Sequence, residues 1–353
     1  MIGLRAPALW AAFGLLAYAG CRHAADQSAP PTPPRRPPQA TIIAVGDIML
    51  EGHDPDGPSP FAAVAEPLRA ADLAIGNLEC PLATGGRRAR KRYTFRAKPE
   101  AVGLLADAGF DVMCVANNHT VDYGRDALKR TLTTLEDAGL GWVGAGADEV
   151  AARSAWHAAV GAGSDRRVMT VAFLAYSHMR PVEFYAGPGR AGTNPAVVDN
   201  IGHDVAQAAQ SADAVVVSFH WGIERSRHPR AGERALAHLA VDSGADLVLG
   251  HHPHVLQGLE RYRGAVIAYS LGNFVFKSSG ACAETAMLRC RLRPNAEPEV
   301  EVIPAVIKGR EPEPATGADA QRVLRTLARI SAPLGTELAI AGDTARVASL
   351  ARL

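Results

Sequence analysis

The sequence predicts an α/β fold, because short β-branched runs alternate with helical segments through most of its 353 residues. Five of these runs end in a polar cluster: Ile42-Ile-Ala-Val-Gly-Asp47, Leu73-Ala-Ile-Gly-Asn-Leu-Glu79, Val112-Met-Cys-Val-Ala-Asn-Asn-His119, Val215-Val-Val-Ser-Phe-His-Trp-Gly222 and Asp246-Leu-Val-Leu-Gly-His-His-Pro-His254. Ligands of open α/β sheets gather outside the carboxyl ends of the strands, so these polar exits are expected to share one site. A hydrophobic content of 48% suffices for one large core or two modest ones.

The chain divides into four parts. After Arg5, the uncharged run Ala6 to Gly20 is too short to cross a bilayer and has the length of a signal-peptide core, so residues 1–20 are set outside the fold. Cleavage has two readings: Ala17-Tyr-Ala19 is an A-x-A pattern, and Ala19-Gly20-Cys21 is a lipobox ending in a lipidated Cys21, with Tyr18 where lipoproteins prefer Leu. The lipoprotein is favoured, because it accounts for the cysteine. Residues 21–40 are a proline-rich tether, 41–310 the folded domain, and 311–353 a helical extension. The expected location is outside the cytoplasm, held to the membrane by a lipid anchor only.

Thr41 to Gly46 is the first strand, with Asp47 at its exit as a natural ligand position. Ser59 to Ala70 follows as a helix, with Ser59 as N-cap, Pro60 at the first helical position and Pro67 as a kink. Strand Asp72 to Gly76 leads to Glu79, placed as Asp47 is. Gly85 to Lys98 is a basic loop, mostly solvated, in which Arg96 is the residue expected to face inward and meet an anionic substrate. Pro99 to Ala108 is a helix closed by Gly109. Strand Phe110 to Ala116 delivers Asn118 and His119, an amide and an imidazole that can supply one ligand and one proton donor. Asp122 then caps the next helix or orients His119. That helix, Gly124 to Ala138, carries Leu128, Leu132 and Leu135 on one face.

A glycine-rich turn encloses the short strand Gly141 to Gly144, and Val168 to Ala175 is a further strand. Ser177 to Pro195 is a long loop expected to cover the site. Helix Asp199 to Ser211, strand Ala214 to Phe219 and helix Pro229 to Ser243 continue the alternation. His220 is a ligand candidate by position, whereas His53 and His228 are as readily rim residues. His252 and His254 flank Pro253, whose fixed φ suggests an extended i, i+2 relation suited to two ligands of one metal. Ala265 to Tyr269 is the next strand. Thr285 to Leu292 and Glu299 to Ile307 alternate as antiparallel strands do, and Ala320 to Ile330 is a final helix on the outside. Cys282 and Cys290 are a pair or two free thiols.

Several function classes are excluded. The formal charge of +1 gives no nucleic-acid footprint. The 139–146 turn lacks the Lys-[Ser/Thr] ending of a phosphate loop, and no Gly-x-Ser-x-Gly elbow offers a nucleophilic serine. None of the five cysteines forms a Cys-x-x-Cys pair.

Taken together, Ala44-Val-Gly-Asp47, Gly76-Asn-Leu-Glu79, Tyr93-Thr-Phe-Arg96, Ala116-Asn-Asn-His119 with Asp122-Tyr-Gly124, His220-Trp-Gly222 with Glu224, His251-His-Pro-His254 and Tyr269-Ser-Leu-Gly-Asn-Phe274 resemble the bacterial CapA family of capsule or poly-γ-glutamate biosynthesis proteins, relatives of the calcineurin-like metallophosphoesterases. The resemblance covers roughly residues 41 to 308. It implies a four-layer α/β/β/α sandwich with two divalent metal ions at the strand exits. Asp47, Glu79, Asn118, His220, His252 and His254 would be ligands, with Glu79 in the bridging position. His119 would be the acid near the leaving group with Asp122 behind it, and Arg96, Asn77, Glu224 and Asn273 would contact substrate. The mixed O/N ligand set suits Mn, Fe or Zn better than Mg. The implied partners are an anionic envelope polymer or its precursor and a membrane synthesis or export complex. The implied reaction is hydrolysis of a phosphoester or amide bond, with non-hydrolytic polymer binding as the alternative. Two positions depart from the phosphoesterase pattern: Met49 stands where a histidine two residues after Asp47 is usual, and Glu79 replaces the bridging aspartate.

Overall fold

Two β-sheets pack face to face, and the alternation of apolar residues along their strands shows why. In the strand Ala40–Ile48, Ile42 and Ala44 belong to the core between the sheets, whereas Ile43 and Val45 belong to a second core on the outer face. Val171 and Phe173 of Met169–Ser177, Ala214 and Val216 of Ala214–His220, and Leu247 and Leu249 of Leu247–His251 close the central core from the opposite sheet. Their neighbours Leu174, Val215, Val217 and Val248 point outward into a third core. Strands buried on both faces read as nearly continuous apolar runs, as these do. This computed structural model describes residues 38–161 and 168–349, so the leader, Cys21 and most of the tether lie outside the described residues.

Helices cover both outer faces. Val102–Ala108 and Arg125–Asp137 pack on the larger sheet, with Leu104, Leu105, Leu128, Leu132 and Leu135 buried. Val198–Ser211 and Ala231–Asp242 cover the smaller one through Ile201, Val205, Leu236 and Ala237. The result is the four-layer α/β/β/α order. In the larger sheet, Ala40–Ile48, Leu73–Leu78, Val112–Cys114 and Gly141–Val143 run parallel. In the smaller sheet, Met169–Ser177, Ala214–His220, Leu247–His251 and Ala265–Ala268 do so. Their carboxyl ends therefore collect two sets of loops at one place.

The structure revises four local expectations. The Ser59–Ala70 segment is a 3₁₀ turn, Ala62–Val64, followed by the α-helix Ala65–Arg69. The restart places Pro67 in a first turn, where its missing N–H costs no hydrogen bond. Trp156–Val160, not foreseen, adds an antiparallel edge strand beside Met169–Ser177. Residues 311–349 are more than a helical extension. Glu311–Pro314 and Thr344–Val347 both pair with Glu299–Lys308, and Leu338–Ala341 extends that edge. The helix Gly317–Ser331 is not simply outside either, since Val323, Leu324, Leu327 and Ile330 complete the central core. Cys282 and Cys290 are free thiols.

Two glycines set how closely the strand exits approach. A Cβ at Gly46 would lie 2.0 Å from the Gly272 carbonyl oxygen, and one at Gly250 would lie 1.9 Å from that of Tyr269. The first contact lets the Asp47 N–H donate to Gly272 O at 2.9 Å, which fixes Asp47 at the mouth of the sheet. Gly46→Ala and Gly250→Ala are each expected to destabilise the protein by about 3 kcal/mol through overpacking. Urea unfolding of the metal-free protein checks this, and parent-like midpoints would show that the exits can separate freely.

Candidate metal centre

Six side chains predicted from separate strand exits converge. Asp47 ends the first strand, Glu79 follows Leu73–Leu78, and Asn118 follows Val112–Cys114. His220 closes Ala214–His220, while His252 and His254 follow Leu247–His251. Their donor atoms form two groups, Glu79 with His220 and His252, and Asp47 with Glu79 and His254, each with ligand atoms within 4.8 Å of one another. Glu79 is common to both. Asn118 Oδ1 lies 2.9 Å from His220 Nε2, at the edge of the first group.

His252 and His254 do not keep the extended relation expected of residues flanking proline. Both have left-handed backbones, with φ of 95° and 58°. Such conformations are costly for residues other than glycine and persist where the surroundings impose them. The turn they make sends the two imidazoles to different groups, so the pair serves both halves of the centre.

The charges are unbalanced without a cation. Neither oxygen of the fully buried Glu79 has a hydrogen-bond partner among the described residues, nor does Nδ1 of His252. Burial, with Asp47 beside it, holds the Glu79 carboxyl well above the usual carboxylate range. Burial acts on Asp47 in the same direction, but the imidazoles of His251 and His254 beside it outweigh this and hold that carboxyl well below its ordinary value. Burial and the charge of His254 push His252 down to about 3. His254 is also buried, yet the carboxylates of Glu79 and Asp47 raise it to about 10. Orphaned carboxylate oxygens facing bare imidazole nitrogens suit a divalent cation held by mixed O/N donors.

Several residues hold these donors in place. Asn77 Nδ2 donates to Asp47 Oδ1 at 2.8 Å, and Asn273 Oδ1 accepts from His254 Nδ1 at 2.8 Å. Both asparagines were expected against substrate. They are instead buried behind Asp47 and His254, and the Asn273 bond leaves His254 Nε2 free to face a cation. Asn117, not singled out in the sequence, donates to Asn77 Oδ1 at 3.1 Å and accepts from the His119 N–H at 3.0 Å. His251 is also buried beside Asp47, with Nδ1 3.4 Å from Oδ1. Glu224 is exposed on the loop after His220, and its charge adds to the upward push on Glu79. His53 belongs to neither ligand group; burial and the nearby Arg310 lower its pKa.

His119 and Asp122 form a pair beside the centre, with His119 Nδ1 2.7 Å from Asp122 Oδ2. Asp122 therefore orients His119, while the Arg125–Asp137 helix begins without a side-chain cap. The inward residue of the basic loop is Lys91. Its ammonium lies 2.5 Å from Asp122 Oδ1 and 3.0 Å from His119 Nδ1, donates to the Asn118 carbonyl, and sits 5.4 Å from the Phe184 ring centroid. Phe184 belongs to the long 177–195 loop, which thus reaches the edge of the site. Arg96 stacks on Tyr123 with its guanidinium 4.2 Å from the ring centroid. Nothing in the charge pattern of residues 87–96 marks Lys91 apart from its neighbours, because only the tertiary position of Asp122 selects it.

The family described as "Bacterial capsule synthesis protein PGA_cap" matches residues 41–278. The capsule biosynthesis protein CapA of Bacillus anthracis is 33% identical over 312 residues, covering 85% of this chain and 75% of that one. This chain belongs to the CapA family. The PGA biosynthesis protein CapA of Bacillus subtilis is 34% identical over 281 residues, covering 76% of this chain and 72% of that one. A probable polyglutamine synthesis accessory protein of Mycobacterium tuberculosis is 31% identical over 291 residues, covering 78% and 76%. Among solved structures, TT1561 of Thermus thermophilus aligns at a TM-score of 0.41 and 14% identity over 70% of this chain and 93% of that one, too distant to add to the assignment.

Two outcomes follow from this geometry. Mn²⁺ at a hundredfold excess over its Kd should stabilise the protein by about 2.7 kcal/mol, and the gain should vanish in Glu79→Ala; thermal unfolding with and without EDTA measures both. Lys91→Met strips a buried carboxylate of its cation and should cost about 3 kcal/mol even in EDTA, read from urea midpoints.

Proposed function

We propose that this CapA-family protein is an exported, metal-dependent hydrolase that acts on an anionic envelope polymer of the poly-γ-glutamate type, or on its precursor, with divalent ions that Glu79 and the residues grouped around it would hold. The observation that carries the reading is the pair of ligand groups with one common carboxylate, beside the His119–Asp122 pair. The names of the Bacillus relatives support the choice of polymer. Export and lipid anchoring rest on the apolar run ending at Cys21. No helix among the described residues is long and apolar enough to cross a membrane.

Asp47, Glu79, Asn118, His220, His252 and His254 would hold the ions, Mn, Fe or Zn by donor type. Bound there, divalent ions supply Lewis-acid charge to a phosphoryl or acyl oxygen and activate water. Asp122 accepts the Nδ1–H of His119, which leaves Nε2 to deliver a proton to the leaving group. Lys91 orients Asp122 through its 2.5 Å contact. Both phosphoester and amide cleavage are compatible with this arrangement.

One observation favours a second reading, in which the centre holds the carboxylates of a polymer without cleaving it. Met49 is buried in the apolar core where the phosphoesterase pattern has a histidine, so one usual site residue is absent. Elemental analysis together with turnover of a phosphodiester and of γ-linked oligoglutamate separates the readings. The hydrolase predicts metal in the parent, loss of metal in His252→Ala and Asp47→Ala, and a His119→Gln variant that keeps its metal while kcat falls by about 10²-fold. Metal without turnover selects polymer binding, and absence of metal overturns both.

A further inference from the structure

Two aromatic rings border the metal centre that neither ligation nor proton transfer requires. Phe95 lies against His119, with ring centroids 4.7 Å apart, and Phe276 lies against His254 at 5.1 Å. The two phenylalanines meet edge to face at 6.3 Å with an interplanar angle of 79°. Together they run from the proton-transfer histidine to a ligand histidine. Both rings are only partly buried, as is His254 with a side chain 17% exposed, while His119 beside Phe95 is buried. The rings therefore stand where the centre opens to solvent, whereas its floor of Asp47, Glu79 and His220 is closed.

Both rings pack by one side against the outer hydrophobic core. The Phe95 N–H donates to Asp122 Oδ2 at 2.8 Å, the carboxylate that also holds His119. The Phe276 N–H donates to Arg310 O at 3.1 Å. Arg96, next in the chain, has no carboxylate partner for its guanidinium among the described residues. A site that handled a bare inorganic anion would gain nothing from partly exposed apolar rings at its mouth, because such surface attracts aliphatic groups and not charge.

We propose that Phe95 and Phe276 form an apolar wall of the substrate site, selecting an acid whose anionic group is carried on an aliphatic segment, with Arg96 offering a cation to a neighbouring acidic group. This specificity role rests on the polymer reading above.

The test uses Mn²⁺-loaded full-length protein and two probes, γ-linked oligoglutamate and inorganic polyphosphate of matched charge, with binding followed by calorimetry and metal content measured in parallel. Phe276→Ser and Phe95→Ser should weaken oligoglutamate binding about tenfold, the equivalent of one buried aromatic contact, and leave polyphosphate binding and metal content unchanged. Phe276→Leu, which keeps the fold and an apolar side chain, should retain most of the affinity. Variants that bind oligoglutamate as the parent does overturn the inference. So does a parallel loss of both probes with metal, which would mean that the rings only pack the histidines. Metal-loaded parent that fails to bind oligoglutamate overturns the functional reading itself.

Discussion

The arrangement depends on one electrostatic constraint: two carboxylates, Asp47 and Glu79, are buried at the ends of adjacent parallel strands. Asp47 is matched by imidazoles and an asparagine, but Glu79, with the His220 imidazole 3.3 Å away, has no hydrogen-bond partner among the described residues. A buried ionised carboxylate without partners is among the costliest features a fold can contain. The conformations of His252 and His254 fit the same constraint, because the left-handed turn there brings one imidazole to each group that contains Glu79. The site is thus strained and undercharged in a way that a cation corrects.

The sandwich makes this convergence possible. Two parallel sheet segments packed through a common core bring Asp47 and Glu79 from one sheet against His220 and the His252–His254 turn from the other. The glycines at 46 and 250 let backbone approach backbone where these exits meet. Packing between the sheets and geometry at the metal centre are therefore one problem, solved by the same strands.

Much of this was legible in the sequence, for a physical reason. Strands buried on both faces leave uninterrupted β-branched runs, and the polar residues that end such runs have few structural reasons to be there, so Asp47, Glu79, His220 and His252 stood out. What stayed hidden depends on tertiary neighbours. Lys91 looks like any cation of its loop, Asn77 and Asn273 look like substrate contacts until Asp47 and His254 are seen in front of them, and Asn117 carries no local signal. The C-terminal strands were missed because Glu311–Pro314 and Leu338–Ala341 are short edge segments, formed by pairing more than by propensity. The split of His252 and His254 was missed because proline predicts φ at position 253 only, and the turn is made on either side of it.

Asp122 accepts from the backbone of Phe95, from His119 and from Lys91, so a single carboxylate ties the basic loop to the imidazole beside the metal-ligand groups. Loop and imidazole are consequently knotted together. Residues 91–95 cannot be remodelled freely, because each change there pulls on His119 through Asp122. The segment from Lys91 to Phe95 should therefore drift slowly despite lying in a loop.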